Sequence, residues 1–201
     1  MSIESLARPE IVAMKPYSSA RKEAPGKGIL LNANESPWSL LENAGPDNKL
    51  NRYPEPQPRE LVSRLAELYA VNEEKVLVTR GSDEGIDLLT RVFCQAGQDA
   101  ILHCPPTFGM YRIAAQTQGA AIVSVPRSPE NGFTLDRQGV LEAVAGDDRI
   151  KLIFLTSPNN PTGDAIEADW LPYLLEATSN RALVIVMKLI RNSANFLPLQ
   201  N

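Results

Sequence analysis

The sequence predicts an α/β protein: a mostly parallel sheet sandwiched by helices, with an N-terminal arm in front of it. Three observations carry this reading. Short apolar runs rich in Val, Ile and Leu recur along the chain, as strands buried on both faces require. Longer segments with apolar residues at helical spacing lie between them. Pro, Gly and Asn cluster at the junctions.

Taken in order, residues 1–28 read as an arm, with a short helix near 5–13 and then a loop rich in Lys, Pro and Gly. Residues 36–58 read as loops. A helix is predicted over 59–70, because Leu61, Leu65 and Leu68 fall on one face. Strands are predicted over 75–79, 99–103, 121–125, 151–155 and 182–186, and helices over 82–95, 107–118, 136–145 and 167–178. No internal repeat or low-complexity tract interrupts the alternation.

Composition excludes several function classes. The chain has 201 residues, 43% hydrophobic and 22% charged, which suffices for one substantial core. The net charge of −4 is spread without a basic block, so nucleic acid is not an expected partner. No apolar stretch approaches the ~20 residues that span a bilayer, and no signal pattern opens the chain; a cytoplasmic location is expected, without membrane partners. Cys94 and Cys104 lack metal-ligand spacing, and His103 is the single histidine, so no metal site is expected.

The chemistry-bearing motifs follow the predicted strands. Ser157-Pro158-Asn159-Asn160-Pro161-Thr162-Gly163 comes directly after Leu152-Ile153-Phe154-Leu155. That is a buried strand running into a rigid loop, at the strand end where α/β proteins bind ligands. By composition it is also an ordinary strand-to-helix turn. Arg80-Gly81-Ser82-Asp83-Glu84-Gly85-Ile86 opens a helix after Val76-Leu77-Val78. Its first amides suit a phosphate, although Ser82 equally reads as a cap with Asp83 and Glu84 favourable in the first turn. Cys104-Pro105-Pro106-Thr107-Phe108-Gly109-Met110-Tyr111 follows Ala100-Ile101-Leu102. Asn51-Arg52-Tyr53-Pro54-Glu55, Leu31-Asn32-Ala33-Asn34-Glu35 and Pro16-Tyr17-Ser18-Ser19-Ala20-Arg21 lie upstream.

In this order, from about Leu6 to Val186, these motifs resemble the histidinol-phosphate aminotransferases, pyridoxal 5'-phosphate (PLP) enzymes of fold type I. The resemblance implies the large domain of that fold, in part, over 51–186, with the arm and substrate-side loops over 1–50. It implies transamination of L-histidinol phosphate with 2-oxoglutarate, a small-molecule substrate, in histidine biosynthesis. The amides of Ser82 and Asp83 would hold the PLP phosphate. Phe108 would stack on the pyridine ring, where the family usually has tyrosine. Asn160 would donate to the ring's phenolic oxygen, from a loop expected to have a cis Asn160–Pro161 bond. Tyr53 would reach the phosphate bound by a neighbouring subunit, which implies a homodimer. Tyr17, Asn32 and Glu35 would lie on the substrate side. Another aminotransferase or a threonine-phosphate decarboxylase of the same fold is the alternative within the class.

The resemblance stops at Met187. The family continues its fifth strand with Asp-Glu-Ala-Tyr, where this chain reads Met187-Lys188-Leu189-Ile190. Dropping the first nucleotide of GAT GAA GCT TAT leaves ATG AAG CTT AT, which encodes Met-Lys-Leu-Ile. Residues 187–201 are therefore expected to be an out-of-frame tail. Met187 takes the place of the aspartate that pairs with the ring nitrogen, and the Schiff-base lysine and the phosphate-binding arginine are expected beyond the chain. On that expectation the chain is an inactive, truncated product, enzymatic only by family, or a non-enzymatic pseudogene remnant, with at most weak non-covalent PLP binding. Resequencing the locus checks this; a gene with no family-like frame downstream contradicts it.

Overall fold

The computed structural model describes residues 3–17, 29, 31, 33–38 and 50–188. They divide into two compact units: one built from the residues up to Met14 together with those from Thr79 onward, the other from Lys15–Val78.

The larger unit is a parallel sheet with helices on both faces. Its strands are β1 (Ala100–His103), β2 (Ala121–Ser124), β3 (Ile150–Thr156) and β4 (Leu183–Met187), in the order β2-β1-β3-β4. All three pairings are parallel, so the carboxyl ends of the strands share one edge of the sheet. The helices are α3 (Gly81–Phe93), α4 (Met110–Gln118), α5 (Arg137–Gly146) and α6 (Leu171–Ala177). Strand side chains alternate between the faces. Leu102, Ile153 and Leu155 pack with Val140 and Val144 of α5 and Leu174 of α6. Ile101, Leu152 and Phe154 pack with Ile86 and Phe93 of α3 and Tyr111, Ala114 and Ala115 of α4. Each face thus buries a helix pair, which explains the nearly unbroken apolar runs of β1 and β3.

The helix starts differ from the sequence reading for local reasons. The helix predicted from 107 begins at Met110, because Pro105, Pro106 and Gly109 keep the preceding segment in a loop that carries Phe108. The helix predicted from 167 begins at Leu171, with Pro172 in its first turn, where a missing N–H costs nothing. The arm forms a 3₁₀ turn at Ile3–Leu6 and then the single turn α1 (Pro9–Val12). Arg8 ties it to α3: its N–H donates to the Val92 carbonyl at 3.0 Å and its guanidinium to the Arg91 carbonyl at 2.9 Å.

In the smaller unit, α2 (Arg59–Tyr69) buries Val62 and Ala66. It ends at Ala70 in the left-handed region, φ 52°. The strand predicted over 75–79 is absent, which corrects the sequence reading. Glu73–Lys75 is a 3₁₀ turn, and Val78 finds its hydrogen bonds on a side chain. Gln57 Oε1 accepts from the Val78 N–H at 2.8 Å, and Gln57 Nε2 donates to the Val78 carbonyl at 3.0 Å. A glutamine thus takes the part that a neighbouring strand would play.

Candidate functional site

Two loops and a helix end converge on the carboxyl edge of the sheet. Cys104–Gly109 leaves β1, and Ser157–Gly163 leaves β3. Helix α3 reaches the same edge. It ends at Cys94, and the short loop from there to β1 is held by the Gln95 N–H donating to Asp99 Oδ2 at 2.6 Å. The carboxyl end of α3 therefore lies at the amino end of β1. Thirteen residues at about 1.5 Å each carry its amino end back to the opposite edge.

Asn159 joins the two loops. It is buried, and its carboxamide is fully used. Oδ1 accepts from Thr107 Oγ1 at 2.9 Å, while Nδ2 donates to the Pro106 carbonyl at 2.9 Å and to Thr162 Oγ1 at 2.8 Å. Its N–H donates to the Asp164 carbonyl and its carbonyl accepts from the Gly163 N–H, both at 2.7 Å. Every polar atom of Asn159 is engaged, whereas its neighbour Asn160 is exposed. The Asn160–Pro161 bond is cis, as the family resemblance implies.

Beneath the loops sits a second polar group. Tyr111 is fully buried, stacked on Phe154 with centroids 4.7 Å apart, and its hydroxyl lies 2.7 Å from Thr156 Oγ1. Burial pushes the Tyr111 phenol up, against the opposing effect of Thr156, so the hydroxyl stays protonated. Phe108 meets the Tyr111 ring edge-on at 5.8 Å and keeps part of its own ring exposed. Met187 closes the far side: its sulfur accepts from the Tyr111 hydroxyl at 3.7 Å, and its carbonyl accepts from the Ser157 N–H at 2.9 Å.

At the amino end of α3, Gly81 adopts φ +79°, a conformation that favours glycine. The helix opens at Gly81, so Ser82 is a first-turn residue rather than the cap. The Glu84 carboxylate caps the turn instead, accepting from the Arg80 N–H; this bond, helped by the Arg80 guanidinium, holds it below the usual glutamate range. Ser82 and Asp83 are exposed, and N–H groups in a first turn have no intrahelical acceptor.

The remaining sequence-predicted residues fall in the smaller unit. Glu35, its side chain 3% exposed, accepts from the Tyr53 N–H at 2.7 Å and from Arg52 at 2.9 Å. Glu35 therefore anchors the Tyr53 segment, while the Tyr53 and Tyr17 rings are exposed. Asn32 lies outside the described residues. Sequence reasoning passed over Asn159, Thr107, Thr156 and Tyr111, all of them in or beside the quoted motifs. The signal for Asn159 was the repeated asparagine, of which one amide is buried and holds the loop while the other residue is exposed.

His103 ends β1 on the Tyr111 face, with Nε2 2.9 Å from Ser124 Oγ and Nδ1 buried without a partner among the described residues. Burial, helped by Arg112, holds its pKa below the ordinary value. Burial likewise pushes the Cys94 and Cys104 thiols up to about 12. Among the described residues, no cluster of His, Cys, Asp and Glu is grouped to hold a metal, and no helix is long and apolar enough to cross a membrane.

A phosphate-bearing planar cofactor fits most of this donor set: first-turn amides and a hydroxyl for the phosphate, a half-exposed aromatic ring for the flat face, and the carboxamide of an exposed asparagine for a ring oxygen. Met187 is the one poor match, because a thioether offers no charge to a protonated ring nitrogen.

The parallel sheet, its helix pairs and its loop-built edge define the PLP-type aminotransferase fold, and the chain belongs to the aminotransferase class I and II family, whose model matches residues 26–187. It is 50% identical over 193 residues to the histidinol-phosphate aminotransferase of Aeromonas salmonicida strain A449, covering 92% of this chain and 51% of that one. It thus spans about half the length of the curated relatives it matches. Among solved structures, N-succinyldiaminopimelate aminotransferase from Mycobacterium tuberculosis superposes with a TM-score of 0.57 at 29% identity, over 68% of this chain and 37% of that one. Histidinol-phosphate aminotransferase from Sinorhizobium meliloti, in complex with pyridoxal-5'-phosphate, superposes with a TM-score of 0.60 at 21% identity, over 67% and 35%. The latter likeness shows the fold alone.

Proposed function

We propose that the chain carries the amino-terminal part of a histidinol-phosphate aminotransferase, with the PLP-binding portion in 51–186 and substrate-side loops in 1–50. The observation that carries this reading is the 50% identity to the Aeromonas enzyme, which covers 92% of this chain. Bound PLP supplies an electron sink for the carbon that bears the substrate amine. The chain's own part is to hold and aim it. The Ser82 and Asp83 amides take the phosphate, Phe108 covers the ring face, and Asn160 donates to the phenolic oxygen. Tyr53 reaches a neighbouring subunit's site in a cytoplasmic homodimer, Tyr17 and Asn32 lie on the substrate side, and Glu35 acts there through the Tyr53 segment it anchors.

A second reading is favoured by Met187: a chain that retains PLP without turning it over. The one-nucleotide shift at Met187–Ile190 belongs to this reading, and the end of the family match at residue 187 supports it. Incubating the chain with PLP, L-histidinol phosphate and 2-oxoglutarate, and following glutamate, separates the two. Glutamate formation establishes transamination by this chain. Saturable PLP binding without glutamate is the outcome of the second reading. Failure to bind PLP contradicts both.

A further inference from the structure

Arg127 is a buried guanidinium, its side chain 1% exposed. Nη1 donates to Asp164 Oδ2 at 2.7 Å and to the Phe133 carbonyl at 3.0 Å, while the buried Nε–H has no acceptor among the described residues. Stability alone is a poor reason for such a pair, since desolvating two charges offsets their attraction and an orphaned donor adds to the cost. Placement gives a better reason. The Arg127 N–H donates to the Pro105 carbonyl at 2.7 Å, so its backbone holds the loop that carries Phe108. Its guanidinium holds Asp164, whose own carbonyl accepts from the Asn159 N–H at 2.7 Å and closes the loop that carries Asn160. One residue thus grips both loops, by backbone on one side and side chain on the other.

We propose that Arg127 and Asp164 form a latch that fixes the Ser157–Gly163 loop against the Cys104–Gly109 loop, making both of them positioning residues for Asn160. The inference rests on the reading of Asn160 as a PLP contact. The test compares the full chain with Asp164→Ala, which leaves the guanidinium buried and unpaired, and with Arg127→Leu/Asp164→Ala, which removes both charges together. The double variant is expected to regain the global stability that the single variant loses, yet to remain unlatched. Hydrogen exchange at the Asn159 and Gly163 amides is expected to quicken roughly tenfold or more in the double variant. Its PLP dissociation constant is expected to rise by roughly three- to tenfold. Wild-type exchange at both amides in a stable double variant overturns the latch. If the unmodified chain binds no PLP, the reading of Asn160 fails, and the exchange data still decide the latch.

Discussion

Thr107 Oγ1 donates to Asn159 Oδ1 at 2.9 Å, binding the loop after β1 to the loop after β3 across the carboxyl edge of the sheet. Asn159 also donates to the Pro106 carbonyl, so its truncation strands polar atoms in both loops. Asn159→Ala is expected to cost about 2–3 kcal/mol, because buried groups left without partners lose about 1–3 kcal/mol each. Urea denaturation measures it. A loss under about 0.5 kcal/mol, the range of plain surface changes, removes Asn159 from its structural role.

The adjacent residue is expected to behave in the opposite way. Asn160→Ala touches an exposed amide, so stability changes by less than about 0.5 kcal/mol. PLP affinity is expected to fall roughly fivefold, the equivalent of one hydrogen bond. A variant that loses stability and keeps affinity reverses the assignment of the two asparagines.

The single imidazole provides a pH test. The folded pKa of His103 is lowered by burial and by Arg112, so the unfolded chain takes up its proton first as pH falls. Stability contributed by the neutral ring is complete above the ordinary value near 6.5 and is lost as pH falls from there to the lowered folded value. A neutral ring donating from Nε2 to Ser124 leaves a bare lone pair at buried Nδ1, the cheaper of the two tautomers. An NMR titration of the only histidine in the chain is expected to place its midpoint below 6.5; a midpoint above that value contradicts the burial argument.

Met187→Asp places a carboxylate where the ring nitrogen's partner is expected, beside the Tyr111 hydroxyl. A hydrogen bond to a charged group is worth about 1.5–3 kcal/mol, so PLP affinity is expected to rise by roughly one to two orders of magnitude. The unliganded variant is expected to melt lower and to recover on PLP addition, since a ligand that binds only the folded state stabilises it. Unchanged affinity means that Met187 does not face the ring nitrogen.

The sheet was legible in the sequence because β1 and β3 bury both faces, leaving apolar runs, and the partly buried edge strand β4 is apolar as well. Helix starts were less legible, since Pro105 and Pro106 before one helix and Pro172 in the first turn of another place them a few residues later than apolar spacing alone suggests. The segment at 76–78 has strand composition, but Val78 spends its backbone groups on Gln57, a polar residue 21 positions earlier that no local pattern connects to it. Within the site, the motif string pointed to the exposed Asn160, whereas the buried work of Asn159 and Arg127 depends on contacts between loops far apart in sequence.

Titration of the 201-residue chain with PLP, followed by absorbance and protein fluorescence, tests the central claim most directly. The account predicts saturable binding of one PLP per chain, weakened by Phe108→Ala and by Asn160→Ala and unaffected by the exposed change Gln138→Ala. Binding that never saturates, or that is the same in all three variants, contradicts the placement of a PLP site at this edge of the sheet.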